Sequence, residues 1–239
     1  MGWCYMKVVK KGLKEYLKIS DDDFEVFISL GNHINYSKNV KDGRINLESL
    51  KNEFNIDEVG YLNQIHSDIV YDFETCNVDG DALITNKKNI AIGVFTADCV
   101  PILIYDRKEK ISAAVHSGWK GTYSFILTKT INKMVEEYDC KIENLKVIIG
   151  PHIQKCCYEV SEELIDKFNE ISNFRGKINY GRMLDLNSCI LIQLNNLNIK
   201  HEQITNINNC TCCDKENKYH SYRRDGNSSG RIFSFITVR

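Results

Sequence analysis

Three residues of types that commonly bind metal ions, His66, Cys99 and His116, stand where runs of strand-forming residues begin or end. Each histidine directly follows such a run. Cys99 precedes Pro101, which removes one ladder donor and favours a turn beside the cysteine. Two imidazoles and one thiolate are a sensible zinc set, and catalytic zinc sites usually have three protein ligands and one open position. Residue type and spacing alone do not exclude the alternative to a metal site, in which each of the three is an ordinary buried histidine or cysteine.

A second group of residues has the chemistry to bind an anion. Arg223 and Arg224 are adjacent and are followed by Asp225 and Gly226, a sequence that favours a turn. The planar guanidinium fork suits phosphate or carboxylate better than a flexible lysine does. The alternative is that each arginine pairs with a neighbouring carboxylate. Asp98, beside the candidate metal ligands, is the acid that we predict as a proton donor.

The chain contains ten cysteines, which we interpret as reduced thiols because its first residues lack the apolar segment of a secretory signal. Four stand alone in the sequence and are expected to be buried or incidental: Cys4, Cys76, Cys140 and Cys189.

A cysteine-rich segment runs from Cys210 to Cys213, with His220 nearby. We expect no structural zinc here, because its spacing differs from that of the usual CxxC pairs and adjacent Cys212 and Cys213 do not easily bind one tetrahedral ion. A role in packing or in lining a pocket is predicted instead, and the same role is predicted for the pair Cys156-Cys157.

Segments typical of strands and helices alternate along the chain, which predicts a mixed α/β (α+β) fold. The strand-like runs are short and rich in β-branched or aromatic residues: 25–30, 59–65, 90–95, 100–105, 111–115, 145–149 and 232–238. Three further segments are predicted to be helices, from the helical spacing of their apolar residues or from capping residues at their starts: 122–138, 161–171 and 185–197. With two prolines and no linker composition, the chain is predicted to form a single domain, 1–239.

The charge balance argues against nucleic acid as a partner. The chain carries 31 basic and 32 acidic residues, a formal net charge of −1, and lacks the dense basic face that phosphate neutralisation requires. No stretch approaches the roughly 18 apolar residues of a membrane span. We therefore expect a cytoplasmic protein that binds neither nucleic acid nor membrane; the sequence leaves its oligomeric state open.

Several motifs occur in an order that resembles one known family: Asn63-Gln64-Ile65-His66, Gly80-Asp81-Ala82-Leu83-Ile84-Thr85, Thr96-Ala97-Asp98-Cys99-Val100-Pro101, Ala114-Val115-His116-Ser117-Gly118-Trp119-Lys120-Gly121, Gly150-Pro151, Cys156-Cys157-Tyr158-Glu159-Val160 and Ser221-Tyr222-Arg223-Arg224-Asp225-Gly226. Over about residues 20–239 the chain is similar to the laccase-domain, or multicopper polyphenol oxidoreductase, family of the purine nucleoside phosphorylase type. The resemblance implies mixed β-sheets with flanking helices. It also implies a metal site at His66, Cys99 and His116, the set already chosen from residue type.

The sequence departs from that family at three places. Ser67 stands where the family often has glycine, Lys120 stands where arginine is usual, and the segment 152–155 replaces a common Cys-x-Gly-Pro segment. The first two changes are mild. The third is expected to alter a pocket wall. The family therefore predicts the metal site of this chain better than it predicts its substrate preference.

The leading hypothesis is a metal-dependent enzyme of purine nucleosides. The resemblance implies phosphorolysis of adenosine, inosine or methylthioadenosine and deamination of adenosine, with nucleoside and phosphate as partners. Asn63, Arg223 and Arg224 are then the candidate substrate-binding residues, and Asp98 joins the three metal ligands as a catalytic candidate. Zinc is the expected ion, with copper as the alternative.

Two alternatives remain open. In the first, Cys99 is the nucleophile and His116 its base in a cysteine hydrolase or amidase, an arrangement that the resemblance also suggests through members thought to edit peptidoglycan precursors. In the second, the chain is a non-catalytic protein that binds metal.

Overall fold

Strands make up most of the architecture of the computed structural model, which describes residues 5–31, 33–75, 78–216 and 218–239. Fourteen strands lie within these residues. They are β1 (Tyr5–Lys11), β2 (Lys14–Asp21), β3 (Phe24–Leu30), β4 (Glu58–Gly60), β5 (Val70–Asp72), β6 (Ala82–Thr85), β7 (Ile90–Thr96), β8 (Val100–Asp106), β9 (Ile111–Ser117), β10 (Leu145–Ile149), β11 (Asn179–Tyr180), β12 (Met183–Leu184), β13 (Ile204–Asn206) and β14 (Ile232–Val238).

Six α-helices lie within the same residues: α1 (Lys41–Phe54), α2 (Trp119–Tyr123), α3 (Ile126–Tyr138), α4 (Glu162–Asn169), α5 (Leu186–Asn196) and α6 (Tyr222–Asp225). Ser161 and Asp185 cap α4 and α5, each accepting a hydrogen bond from a backbone N–H three residues later. Short polar side chains at these positions therefore fix where the two helices begin.

The first sheet has the strand order β1-β2-β3-β14-β7-β4. The C-terminal strand β14 lies between β3 and β7 and is antiparallel to both. Gly93 in β7 faces this strand, and a Cβ at that position would approach the Phe233 ring to 2.5 Å. A glycine is thus required there for the aromatic residues of β14 to pack against β7.

The second sheet has the order β13-β10-β8-β9-β6-β5 and mixes parallel with antiparallel pairs. Strands β8 and β9 form an antiparallel hairpin in which Pro101 lies opposite His116. This register brings the residue that precedes β8, Cys99, to the same end of the sheet as His116. The hairpin therefore assembles two of the three predicted metal ligands.

Apolar side chains between the two sheets, such as Ile92, Leu103 and Ile148, form a central core. Helix α1 covers the outer face of the first sheet through Leu47, Leu50 and Phe54, and α3 and α5 cover the outer face of the second. Strands β7, β8 and β9 are buried along their whole lengths, which explains their continuous apolar sequences. The predicted mixed fold with flanking helices is confirmed.

Most of the predicted strands are confirmed, but the one predicted over 59–65 ends at Gly60. The predicted helix 122–138 is divided in two, because Phe125 adopts a left-handed conformation with φ of 62° between α2 and α3. Helix α1 was not predicted, although the buried side chains of Leu47, Leu50 and Phe54 have helical spacing.

Two of the four isolated cysteines, Cys140 and Cys189, are fully buried as predicted, and burial raises the pKa of the Cys140 thiol to about 12. Cys4 and Cys76 lie outside the described residues. Among the residues that the structure describes, no helix has the length and apolar character needed to cross a membrane.

Candidate metal centre

His116 lies near the end of β9 and is 3% exposed. Its Nδ1 lies 2.7 Å from Oδ1 of Asp81, so the ring donates its Nδ1–H to the carboxylate and leaves Nε2 for another partner. The two residues are adjacent because β6 pairs with β9 and the His116 amide donates to the Asp81 carbonyl at 2.8 Å. A carboxylate that orients a histidine in this way is a common partner of metal-binding imidazoles.

The same Asp81 carboxylate holds the loop that carries His66. It accepts hydrogen bonds from the backbone amides of Ile65, His66 and Ser67, at 3.2, 3.1 and 2.6 Å, and from the Ser67 hydroxyl at 2.6 Å. His66 itself has a left-handed backbone with φ of 60°. These amides turn toward the carboxylate instead of joining a sheet, so the last residue of the predicted strand 59–65 belongs to a loop.

Asp81 is 1% exposed, and its burial raises the pKa of the carboxyl group. The hydrogen bonds from His116 and Ser67 more than offset this effect and hold the pKa below its ordinary value. No role was predicted for Asp81, although it belongs to the Gly80-to-Thr85 motif and immediately precedes the strand β6.

Cys99 completes the set from the short loop between β7 and β8. Its Sγ lies 3.8 Å from Nε2 of His66, and the ligand atoms of Cys99, His66 and His116 all lie within 4.8 Å of one another. Gly118 packs beside them, and a Cβ there would lie 3.0 Å from the Cys99 sulfur and 2.9 Å from the His66 ring. The structure thus brings the three predicted ligands together in a space that a larger residue would obstruct.

The charges of Cys99 and His116 depend on each other. Burial raises the pKa of the thiol, but the nearby His116 charge and hydrogen bonds from both imidazoles lower it overall. Burial lowers the pKa of His116, but the Cys99 thiolate and Asp81 raise it overall. Without a metal ion, therefore, the pair favours a thiolate beside an imidazolium.

A cavity of about 440 Å³ opens beside the three ligands, a size within the usual range for small-molecule sites. Three of its lining residues are basic and three are aromatic: Lys38, Arg223 and Arg231, and Phe95, Tyr158 and Tyr222. The combination of cations and aromatic rings suits a ligand that has an anionic part and a flat ring.

Arg223, one of the predicted substrate-binding residues, lines this cavity. Its Nη1 donates to the carbonyl oxygens of Glu159 and Cys157 at 2.9 and 3.4 Å, and its guanidinium lies 5.3 Å from the centre of the Tyr158 ring. These contacts fix the direction of an otherwise exposed side chain.

Asp98 also lines the cavity, but its carboxylate is engaged on both oxygens. Oδ2 accepts the backbone N–H of Arg223 at 2.6 Å, and Oδ1 accepts the Thr211 hydroxyl at 2.7 Å. Proton donation by Asp98 stays a prediction, whereas its contact with Arg223 directly positions that arginine.

Arg224 is absent from the residues that line this cavity. It forms a bidentate pair with Asp225, at 2.9 and 2.8 Å, and donates to the carbonyl oxygens of Thr211 and Tyr219. These contacts match the alternative to anion binding, in which the arginine pairs with a neighbouring carboxylate. Of the two arginines, Arg223 is the one that lines the cavity.

Asn63 is likewise absent from the lining, and its side chain accepts a hydrogen bond from Nζ of Lys38, which does line the cavity. Burial lowers the pKa of Lys38. Sequence reasoning missed Lys38 and Arg231, because no spacing or motif distinguishes them from the other basic residues of the chain.

Gln64 anchors the loop that carries His66 against β7. Its Nε2 donates to the Phe95 carbonyl and its Oε1 accepts the Phe95 amide, both at 2.7 Å. The departure from the family at 152–155 does reach the cavity, since Ile153 lines it, while His152 is buried and bonded to Gly150.

The family model described as multi-copper polyphenol oxidoreductase laccase matches residues 21–239. The chain belongs to this family. The resemblance drawn from the ordered motifs is therefore confirmed, over almost the range that the motifs indicated.

Relatives in this family cover nearly the whole chain. A protein of Clostridium acetobutylicum named purine nucleoside phosphorylase is 45% identical, over 97% of this chain and 99% of its own. One of Borreliella burgdorferi with the same name is 32% identical, over 92% of this chain and 94% of its own.

Two solved structures show the same fold. The hypothetical protein YfiH of Bacillus licheniformis aligns with a TM-score of 0.85 at 23% identity, over 94% of this chain and 96% of its own. YlmD from Geobacillus stearothermophilus aligns with a TM-score of 0.84 at 20% identity, over 97% of this chain and 98% of its own.

Proposed function

We propose that this chain is a metal-dependent purine nucleoside phosphorylase that also deaminates adenosine. The proposal depends on one observation. Three side chains of types that bind metal ions lie together at the edge of a cavity that basic and aromatic side chains line. Relatives named purine nucleoside phosphorylase, one of them 45% identical over almost the full length of both chains, support it.

His66, Cys99 and His116 are the residues that would hold the metal ion. Zinc fits this set better than copper, because blue-copper sites add a weak axial ligand such as methionine or glutamine. No methionine lines the cavity among the described residues, and both polar atoms of Gln64 are committed to the backbone of Phe95. When bound, the ion supplies Lewis acidity at the edge of the cavity.

In phosphorolysis, a phosphate oxygen forms a bond to C1′ of the ribose while the bond from C1′ to N9 of the purine breaks. The bonding electrons leave with the base, which then takes up a proton. Arg223, with Lys38 and Arg231, is proposed to bind the phosphate, since all three cations line one cavity. Phe95 and Tyr222 offer apolar ring surface for the base.

Asp98 is proposed first as a positioning residue. A carboxylate that accepts hydrogen bonds on both oxygens is arranged as an acceptor, and one of those bonds holds the backbone of Arg223. Proton donation to the departing base remains a secondary proposal for this residue. In deamination, the oxygen of water adds to C6 of adenosine and ammonia leaves, so this second reaction needs no phosphate.

A product assay on protein of measured metal content tests the proposal. Adenosine, inosine and methylthioadenosine are each incubated with and without phosphate. With phosphate, we expect free base and the sugar 1-phosphate; without it, we expect only inosine, formed from adenosine. Failure of metal-loaded, folded protein to convert any of the three nucleosides in the presence of phosphate would refute the proposal.

A cysteine hydrolase is the second candidate, and one observation favours it. Cys99, His116 and Asp81 form a series in which the carboxylate orients the imidazole and the imidazole lies close to the thiol. A chelator separates the two candidates, because a cysteine hydrolase keeps its activity when the metal is removed. A non-catalytic metal-binding protein, the remaining alternative, would retain metal and convert no nucleoside.

A further inference from the structure

Four cysteines come together at a second place in the fold: Cys156, Cys157, Cys210 and Cys213. Their sulfur atoms all lie within 4.8 Å of one another. Only packing or pocket lining was predicted for these residues, and that prediction overlooked two facts. Cys210 and Cys213 are separated by two residues, as in a CxxC pair, and Cys212, their neighbour, stays outside the cluster.

We propose that these four cysteines form a structural metal site for zinc, separate from the centre at His66, Cys99 and His116. Zinc–sulfur bonds of about 2.3 Å in a tetrahedron place neighbouring sulfur atoms about 3.8 Å apart. The Cys156 and Cys213 sulfur atoms lie 3.6 Å apart, close to that edge length and far from the roughly 2.05 Å of a disulfide bond. Four thiolates close a zinc site, so it has a structural role.

The backbone around Cys210 is arranged to stabilise a thiolate. The Gln154 amide donates a hydrogen bond to the Cys210 sulfur at 3.5 Å. An N–H donor directed at a sulfur favours its anionic form, which is the form that binds metal. On binding, each thiol that is still protonated releases its proton to solvent.

The burial of the cluster distinguishes it from packing cysteines. Cys156 and Cys213 are exposed, whereas Cys140 and Cys189, which do pack in the core, are fully buried. Exposed thiols gain little from apolar burial, but they leave a path for an ion to enter.

The site would join the segment that carries Tyr158, which lines the cavity, to the segment 210–213, which lies outside the lining. One segment contains Cys157, whose carbonyl oxygen accepts from Arg223, and Tyr158, whose ring lies under the Arg223 guanidinium. The other contains Cys212, whose carbonyl oxygen accepts from Arg224. A metal ion at this junction would hold Arg223 in place, and the site stands whether or not the proposed nucleoside chemistry is correct.

Zinc content provides the first test. Wild-type protein reconstituted with Zn²⁺ and freed of excess ion is expected to retain two ions per chain. Cys213→Ser is expected to retain one, and the matched control Cys212→Ser two, because Cys212 lies next to the cluster but outside it. Replacing Zn²⁺ by Co²⁺ should give the visible bands of a tetrahedral four-thiolate site in the wild type and the control, and not in Cys213→Ser. Equal zinc retention by Cys213→Ser and wild type would overturn the proposal.

Alkylation of wild-type thiols, mapped peptide by peptide, tests the proposal even if Cys213→Ser fails to fold. In zinc-loaded protein Cys156 and Cys213 should react at least tenfold more slowly than after treatment with a chelator. Cys212 should react at the same rate in both states and serves as the internal control. Modification of Cys156 and Cys213 at the chelator-treated rate in zinc-loaded protein would contradict the proposal, and so would a disulfide among the four cysteines in protein isolated without oxidant.

Discussion

The Asp81 carboxylate binds Nδ1 of His116 at 2.7 Å and also accepts the backbone amide of His66 at 3.1 Å. One buried side chain therefore sets the positions of two candidate metal ligands that are fifty residues apart, from position 66 to position 116. This relationship makes Asp81 the residue through which the metal centre is organised.

Replacing Asp81 by asparagine should weaken metal binding at the His66, Cys99 and His116 centre by about 10–100-fold. An amide retains the shape of the carboxylate, but it carries no charge and directs an NH₂ group toward atoms that are themselves donors. Competition with a chromophoric chelator would measure the affinity. Asp79→Asn, at an exposed position two residues earlier, is the matched control and should keep the wild-type affinity. Unchanged affinity in Asp81→Asn would contradict the assigned role.

Gly118→Ala should also reduce metal affinity, here by steric obstruction. The added Cβ would lie 3.0 Å from the Cys99 sulfur and 2.9 Å from the His66 ring, so one of these ligands must move. Lys120→Ala, two residues later on an exposed side chain, should leave the affinity unchanged. Metal titration and thermal unfolding should be measured together, and full affinity in a normally folded Gly118→Ala protein would show that the space is not needed.

Arg223→Ala should raise the KM for phosphate about 10–100-fold, the loss expected from one charge-assisted contact, and change the KM for nucleoside much less. Arg223→Lys should restore part of the phosphate affinity through its charge. Arg224→Ala is the contrasting variant, because it removes the pair with Asp225 and should lower the melting temperature. Steady-state kinetics with each substrate varied in turn provide the measurement. Equal increases in both KM values for Arg223→Ala would return that residue to a structural role.

Cys99→Ser should lose metal and activity together, because a serine hydroxyl is a poor ligand at neutral pH. In the wild type, metal binding should protect the Cys99 thiolate from alkylation, and a chelator should remove the protection. The cysteine-hydrolase candidate requires the opposite result, namely lost turnover with normal metal content. Rapid alkylation of Cys99 in fully metal-loaded protein would rule out the metal-dependent proposal.

The three candidate metal ligands and most of the strands around them were predicted from residue type and order alone. Ligand type is a property of single residues, and His66, Cys99 and His116 stood beside runs whose β-branched composition already predicted strands. The ordered motifs then identified the family. These signals are local, so they need no knowledge of which segments meet.

Which distant residues share a site depends on how the chain folds. Asp81 reaches His66 and His116 because β6 pairs with β9, and the four clustered cysteines meet although positions 157 and 210 are far apart in the chain. The adjacent residues Arg223 and Arg224 also differ in environment, since Arg223 lines the cavity and Arg224 pairs with Asp225. Their sequence does not indicate this difference. Such contacts depend on sheet pairing and on the packing of a shared core, which local residue patterns do not specify.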